Sequence, residues 1–298
     1  MDLIRTRSEL SRLDALRGRD PLVLVPTMGA LHDGHLDLVR RAGELGRAVV
    51  SIFVNPTQFA PGEDYAAYPR DLTRDLEALA GLDSAAVFAP SPEEMYRATG
   101  GVAVVPGPRA NVLCGARRPG HFQGVLTVVA KLFNLLRPDI AVFGRKDGQQ
   151  CLVIDEMVRD LDFPVALVDA PTRREADGLA MSSRNRYLDS AQRRRAACLW
   201  RALDAVRGRI AEGERETAPL EEQLALFLAD ADAVDYAEIR TVPDLTPPER
   251  LDGRVILAVA AHVGPARLID NLVLDVGADA VVETSLLQSP PTARKERN

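Results

Sequence analysis

The chain alternates between apolar runs of strand length and amphipathic runs of helical period. "PLVLVPT" (21–27) is continuously apolar, the pattern of a strand buried on both faces. After a glycine-bearing turn, "HLDLVRRAGELG" (35–46) sets Leu36, Val39 and Ala42 at helical spacing, predicting a helix that begins near His35. "AVVSIFV" (48–54) reads as the next strand, "DLTRDLEALAGLD" (71–83) as a helix and "AAVFAP" (85–90) as a strand. "FQGVLTVVAKLFNLLRP" (122–138) predicts a helix stopped by proline, followed by a strand at "DIAVFG" (139–144). "GQQCLVIDEMVRDLD" (148–162) is a further helix and "FPVALVDA" (163–170) a further strand. Repeated strand–helix alternation predicts an α/β fold with a doubly wound parallel sheet.

Past about residue 173 the pattern changes. Two helical stretches, 189–211 and 217–230, precede "VDYAEIRTV" (234–242), "RVILAVAAHV" (254–263) and "RLIDNLVL" (267–274), which read as short strands joined by turns. The division expected is a first domain over 1–172, a smaller C-terminal α+β lid domain over 173–285, and a disordered tail over 286–298. The hinge falls near "APTRREADG".

Composition narrows the class. With 298 residues, 46% hydrophobic and 27% charged, the chain reads as an ordinary globular protein. A net charge of −6 argues against a dedicated nucleic-acid partner, because no basic excess exists to release counterions. Cys114, Cys151 and Cys198 form no CxxC and suit a reducing, cytoplasmic setting. Neither a signal peptide nor a membrane span is expected. Only three lysines occur, Lys131, Lys146 and Lys295, so a lysine in a sharp loop invites a chemical explanation.

Ligands of doubly wound sheets bind beyond the carboxyl ends of the strands. "TMGALHDGH" occupies such an end, with His32 and His35 three residues apart at a helix start. There Gly29 would let backbone approach a ligand, and imidazole N–H groups with the helix terminus would suit phosphate oxygens. The bland alternative is a turn whose histidines cap the helix. Metal binding is weakly supported, since His121 and His262 are isolated and no cysteine is near.

Three other strand ends carry matching polar residues. "VNPTQFAPGEDYAAYPRD" (54–71) offers Asn55, Gln58, Tyr65 and Tyr68, amides and phenols suited to hydroxyl and carboxylate groups, or simply an Asn-Pro turn. "FGRKDGQQ" (143–150) places Lys146 within reach of a phosphate, with Asp147 able to support magnesium through water and Gln150 one turn into the helix. "PTRREADGLAMSSRNRYL" (171–188) sets Met181 before two hydroxyls, Ser182 and Ser183, and the fork of Arg184. Its alternative is a solvated linker.

Taken together, "PTMGALHDGHLDLV", "VNPTQF", "RPDIAVFGRKDGQQ", "TRREADGLAMSSRN" and "RLIDN" resemble the pantoate–β-alanine ligase family, from about residue 21 to 275. The His-x-Gly-His piece alone is shared with a wide nucleotidyltransferase superfamily. The resemblance implies a Rossmann-like fold and ATP-dependent condensation of pantoate with β-alanine to pantothenate, AMP and pyrophosphate through a pantoyl adenylate. It implies Mg²⁺ accompanying ATP without a dedicated protein metal site, and a cytoplasmic homodimer.

Carried over by position, the ATP contacts fall on Met28, Gly29, Ala30, Leu31, His32, Asp33, Gly34 and His35, on Gly144, Arg145, Lys146 and Asp147, and on Arg173, Met181, Ser182, Ser183 and Arg184. His35 matches the histidine usually named catalytic, with His32, Lys146, Ser182, Ser183 and Arg184 as accompanying donors. Gln58 and Gln150 match the pantoate-binding glutamines, Gln58 also borders β-alanine, and Asn55 and Tyr68 complete the substrate side. Two positions depart from the family habit. Gly148 replaces a bulkier residue and could loosen its helix start, and Arg173 replaces an apolar one, where a main-chain contact to adenine is expected. His262 reads as structural. Rival readings are a nucleotidyltransferase acting on a phosphorylated acceptor, which would not need both glutamines, and a non-catalytic nucleotide-binding module.

Overall fold

The computed structural model describes residues 1–16, 18, 20–82, 84–97, 101–278 and 280–287. Its strands, in chain order, are β1 (Asp2–Ile4), β2 (Leu22–Thr27), β3 (Arg47–Ile52), β4 (Ser84–Phe88), β5 (Ile140–Gly144), β6 (Ala166–Ala170), β7 (Ala233–Thr241), β8 (Gly253–Val263), β9 (Ala266–Val276) and β10 (Val281–Glu283). The first six make one parallel sheet in the order β1-β4-β3-β2-β5-β6. From β2 the chain winds outward through β3 and β4, then returns to the other side of β2 for β5 and β6. That reversal opens a crevice at the carboxyl ends of β2 and β5. This is the Rossmann-like α/β architecture the alternation predicts.

Both faces of the central strands are covered, which is why they read as unbroken apolar runs. Leu22 and Leu24 of β2 face the helix His121–Leu136, while Val23 and Val25 lie under the helix Asp33–Leu45. The edge strand β1 escapes the sequence pattern because three residues are too few to show a period.

The C-terminal sheet is antiparallel, in the order β10-β9-β8-β7. Its longest strands are not short: β8 and β9 each run 11 residues. Along β8, Val255, Leu257, Val259 and Ala261 face the helices Cys198–Ala211 and Thr217–Phe227. The alternate residues Ile256, Ala258 and Ala260 join the core of the parallel-sheet domain. The helix expected over 189–211 is two helices, Ser190–Ala196 and Cys198–Ala211, parted at Ala197.

Two further expectations change. The segment around 173–185 is no solvated linker: Arg174 stacks on Trp200 at 3.8 Å and pairs with Asp270 at 2.6 Å, and Arg193 ties down Glu175 and Asp177. Of the tail expected from 286, Leu286 and Leu287 are buried in the core, because their backbone and side chains return to the end of β6. The remainder, 288–298, lies outside the described residues.

Candidate active site

A cleft of about 700 Å³ lies at the reversal point of the parallel sheet, with residues of β7, β8 and β9 forming another wall. Four loops bring sequence-expected residues to it. They are Met28, His32, Gly34 and His35 after β2; Asn55, Gln58 and Tyr68 after β3; Gly144, Lys146, Asp147 and Gln150 around the end of β5; and Arg173 with Met181 to Arg184 after β6. Gly29, Ala30, Leu31, Asp33 and Arg145 are not among the lining residues.

The β2 loop explains part of that difference. Gly29 (φ +78°) and Ala30 (φ +52°) are consecutive left-handed residues, and the turn aims the N–H groups of Ala30 and Leu31 at the Asp75 carboxylate, at 3.0 and 2.7 Å. These donors are satisfied inside the protein. A Cβ on Gly29 would stand 2.8 Å from Asp75 Oδ2, so glycine is required here for the approach of an internal carboxylate and not of a ligand.

The helix starts at Asp33, with His32 as N-cap and His35 in the first turn, rather than at His35. The His35 N–H is therefore spent on the His32 carbonyl at 2.8 Å. His32 N–H in turn faces His35 Nδ1 at 3.4 Å, which leaves the proton of a neutral His35 ring on Nε2. The two rings lie 4.0 Å apart, and His32 Nδ1 is buried without a partner among the described residues, a cost that a ligand group would relieve.

Burial, followed by the charges of Lys146 and Arg186, lowers His32 from an ordinary 6.5 to about 4. Burial, then His32 and Lys146, holds His35 well below its usual range. Both shifts favour neutral imidazoles at pH 7. His121, outside the expected site, is lowered to about 4 by burial and by Arg118.

These depressed values make stability fall on acidification. In the unfolded chain these imidazoles protonate near the ordinary value of about 6.5. The folded protein resists that protonation, so stability should drop as pH falls through 6.5 and continue to drop toward 4. His32 and His121 should each withdraw about 3 kcal/mol by pH 4. Denaturant midpoints at pH 7.5, 6 and 5 read this directly, and the slope should flatten in His121→Gln. A midpoint constant over that interval would contradict it.

On the β3 side, the buried Asn55 is fully engaged. Its Oδ1 accepts from Thr57 Oγ1 at 2.9 Å and Tyr96 OH at 2.7 Å, while Nδ2 donates to Gln58 Oε1 at 3.0 Å and Gly124 O at 3.1 Å. Asn55 therefore orients Gln58. Among the described residues Gln58 Nε2 meets a weak acceptor, Met28 Sδ at 3.0 Å, and so retains capacity for a substrate oxygen. Gly124 permits this docking, since a Cβ there would meet Thr57 O at 2.2 Å.

Beyond β5, a single 3₁₀ turn, Arg145–Asp147, leads into the helix Gly148–Asp160. Lys146 projects to the cleft, its Nζ 3.9 Å from Asp147 Oδ1. Arg145 turns away to Asp169 at 2.6 Å, which is why it lines no part of the cleft. The helix opens at Gly148, where a Cβ would lie 2.9 Å from Ile256 Cδ1 and 3.2 Å from Asn271. The departure matches close contact with the second sheet.

After β6, Ser183 Oγ lies 3.2 Å from Tyr68 OH, and Arg184 makes two bonds to Asp64, at 2.9 and 2.8 Å. Arg173 pairs with Asp37 at 2.8 Å, and its carbonyl accepts from Met181 N–H at 2.9 Å. Several participants were not singled out in the sequence. Arg118 is held by both oxygens of Glu63 at 2.7 Å and donates to His121 Nε2 at 3.0 Å, and His121 Nδ1 donates to Gln58 O at 2.8 Å. The available signal was "RRPGHF", a Pro-Gly turn running straight into a helix.

Comparisons with known proteins point to one family. A family model described as pantoate-beta-alanine ligase matches residues 2–273. The chain is 54% identical over 258 residues to a pantothenate synthetase of Moorella thermoacetica, covering 85% of this chain and 90% of that protein. A crystal structure of pantothenate synthetase from Thermus thermophilus is similar with TM-score 0.87 and 46% identity, over 91% of this chain and 99% of that one. A pantoate-beta-alanine ligase from Francisella tularensis, complexed with beta-gamma ATP and beta-alanine, is similar with TM-score 0.77 and 33% identity, over 91% and 97% of the two chains.

Proposed function

This chain belongs to the pantoate–β-alanine ligase family, and from that premise we propose that it condenses pantoate with β-alanine through a pantoyl adenylate, releasing pyrophosphate and then AMP. The observation that carries the reading is one cleft in which His32, His35 and Lys146, suited to phosphates, share walls with Gln58 and Gln150, suited to a hydroxy acid.

In the first step a pantoate carboxylate oxygen attacks the α-phosphorus, and the bond to the β-phosphate oxygen breaks to release pyrophosphate. In the second, the β-alanine amine attacks the acyl carbon, loses a proton, and AMP leaves with the electrons of the acyl–oxygen bond. Alignment and charge neutralisation supply most of what such a transfer needs. Gln58 and Gln150 hold pantoate in line, while His35 Nε2–H, His32, Lys146, Ser182, Ser183 and Arg184 donate to phosphate oxygens.

No group of three His, Cys, Asp or Glu suited to a metal occurs among the described residues. Mg²⁺ would arrive with ATP, with Asp147 beside Lys146 as the nearby carboxylate, and would neutralise phosphate charge. Residues 1–172 form the ATP- and pantoate-binding domain and residues 173–285 the covering domain. The three free, buried cysteines suit a cytoplasmic enzyme, and the family reading adds a homodimer. Among the described residues no helix is long and apolar enough to cross a membrane.

The deciding assay follows AMP release from ATP with pantoate and β-alanine supplied separately and together. Sustained AMP release should require both acids, with pantoate alone giving at most one pyrophosphate per site. Absence of turnover with every combination would overturn the reading.

A further inference from the structure

Lys146 sits on a turn that is held from two sides, by β9 of the second sheet and by β6 of the first. From β9, Asn271 Nδ2 donates to the carbonyls of Arg145 at 3.0 Å and Lys146 at 2.8 Å. On the far side, Arg145 Nε donates to Asp169 Oδ2 at 2.6 Å. Asp169, at the end of β6, also receives the Ser285 hydroxyl and the N–H groups of Leu286 at 3.2 Å and Leu287 at 3.1 Å. Glu283 of β10 stands 3.8 Å from Arg145 Nη1. Burial opposes the Asp169 charge, but Ser285 and Arg145 outweigh it and hold the carboxyl below its usual range. The chain that has built the second sheet thus returns to the first domain and fastens to the catalytic turn.

We propose that Asn271, Asp169 and the Ser285–Leu287 strap are positioning residues that set the direction of Lys146. Successive side chains of a 3₁₀ turn diverge by about 120°, because it has about three residues per turn. Fixing Arg145 outward therefore fixes where its neighbour projects. Asn271 removes the remaining freedom by holding both carbonyls of the turn. The Arg145 charge is also absorbed by Asp169 and kept away from the phosphate site. This assignment rests on the ligase reading for the role of Lys146, but its geometric part does not.

The test uses the full chain with Asp169→Asn and Asn271→Asp, each alone and combined with Lys146→Ala. Asparagine keeps the shape of Asp169 but removes its charge, and aspartate at 271 cannot donate to the two carbonyls. Amide exchange at residues 145–148 should accelerate at least about tenfold in each single variant, as expected when a local opening becomes cheaper. Each should lower kcat by about 10–100-fold, the scale of a misplaced reacting group. In the Lys146→Ala background the further loss should be under about threefold, because groups acting through one residue are not additive. Unchanged exchange, or losses that multiply fully in that background, would overturn the assignment. If either variant fails to fold, Ser285→Ala, which spares the backbone bonds to Asp169, carries the same two readouts. Should the unmodified chain release no AMP, the ligase reading fails, while the exchange result still decides whether the clamps hold the turn.

Discussion

Lys146→Ala should lower kcat for AMP release by about 10³-fold, the upper range for removing one preorganised charge from a developing transition state. Its melting temperature should hardly move, because the turn is held by Asn271 on the carbonyls and by Asp169 on Arg145, and neither contact uses the lysine side chain. Four arginines around the cleft are more closely paired than this lysine. Arg184 is committed to Asp64, Arg118 to Glu63, Arg145 to Asp169 and Arg173 to Asp37, each at 2.9 Å or less. Lys146 stands 3.9 Å from the Asp147 carboxylate, so its charge is less fully spent. A substitution that removed attraction felt equally by bound ATP and by the transition state would raise KM and spare kcat. A fall in kcat with modest change in the KM for ATP would locate the interaction in the transition state. Lys146→Arg should restore little, because a broad planar fork cannot place a compact charge at the same point. A rate within about fivefold of the unmodified enzyme would remove Lys146 from the mechanism.

The parallel sheet was legible because its strands are covered on both faces. Each therefore appears as an uninterrupted apolar run, as at Leu22–Val25, and the amphipathic helices fill the gaps between them. The site's loops were legible for a related reason: they follow those runs and break the apolar pattern with His32, Gln58, Lys146 and Ser182. What stayed hidden is long-range pairing. Asp75 looks like one acid on an exposed helix, yet it is buried and organises Ala30 and Leu31, 45 and 44 residues away. Arg145 lies inside a phosphate-matching motif, and no local feature reveals that Asp169 will turn it outward. The same limit affected Leu286 and Leu287, whose burial depends on where the second domain returns, and His121, whose Nδ1 partner, Gln58 O, comes from the β3 loop.

The acidic net charge and the phosphate-binding reading are compatible once the pairs are placed. Arg118, Arg145, Arg173 and Arg184 are each balanced by a local carboxylate, so the free protein does not carry a concentrated positive field that would attract polyanions indiscriminately. The histidines add donors without adding charge. Burial keeps His32 and His35 neutral, and neutral N–H groups can take a phosphate oxygen without the cost of a second buried cation next to Lys146.

That neutrality separates two roles for His35. Acting as a fixed donor from Nε2, it should lose about 10²–10³-fold in kcat on His35→Ala, the cost of deleting one preorganised hydrogen bond to developing charge. The substitution should leave the fold intact, because the His35 backbone N–H bond to His32 O belongs to the helix and survives. His35→Asn should then recover a substantial part, to within about 30-fold of the unmodified rate, since the amide N–H is also a neutral donor of similar strength. The free enzyme's kcat/KM should also show no inflection assignable to His35 between about pH 6 and 8, because its imidazole titrates well below 6.5. A shuttle would behave oppositely. Asparagine would be as inactive as alanine, and an inflection near neutrality would be present in the unmodified enzyme and absent from both variants. Parallel pH–rate profiles of the three proteins therefore decide between a positioned donor and a proton carrier, and the geometry at His32 and His35 favours the donor.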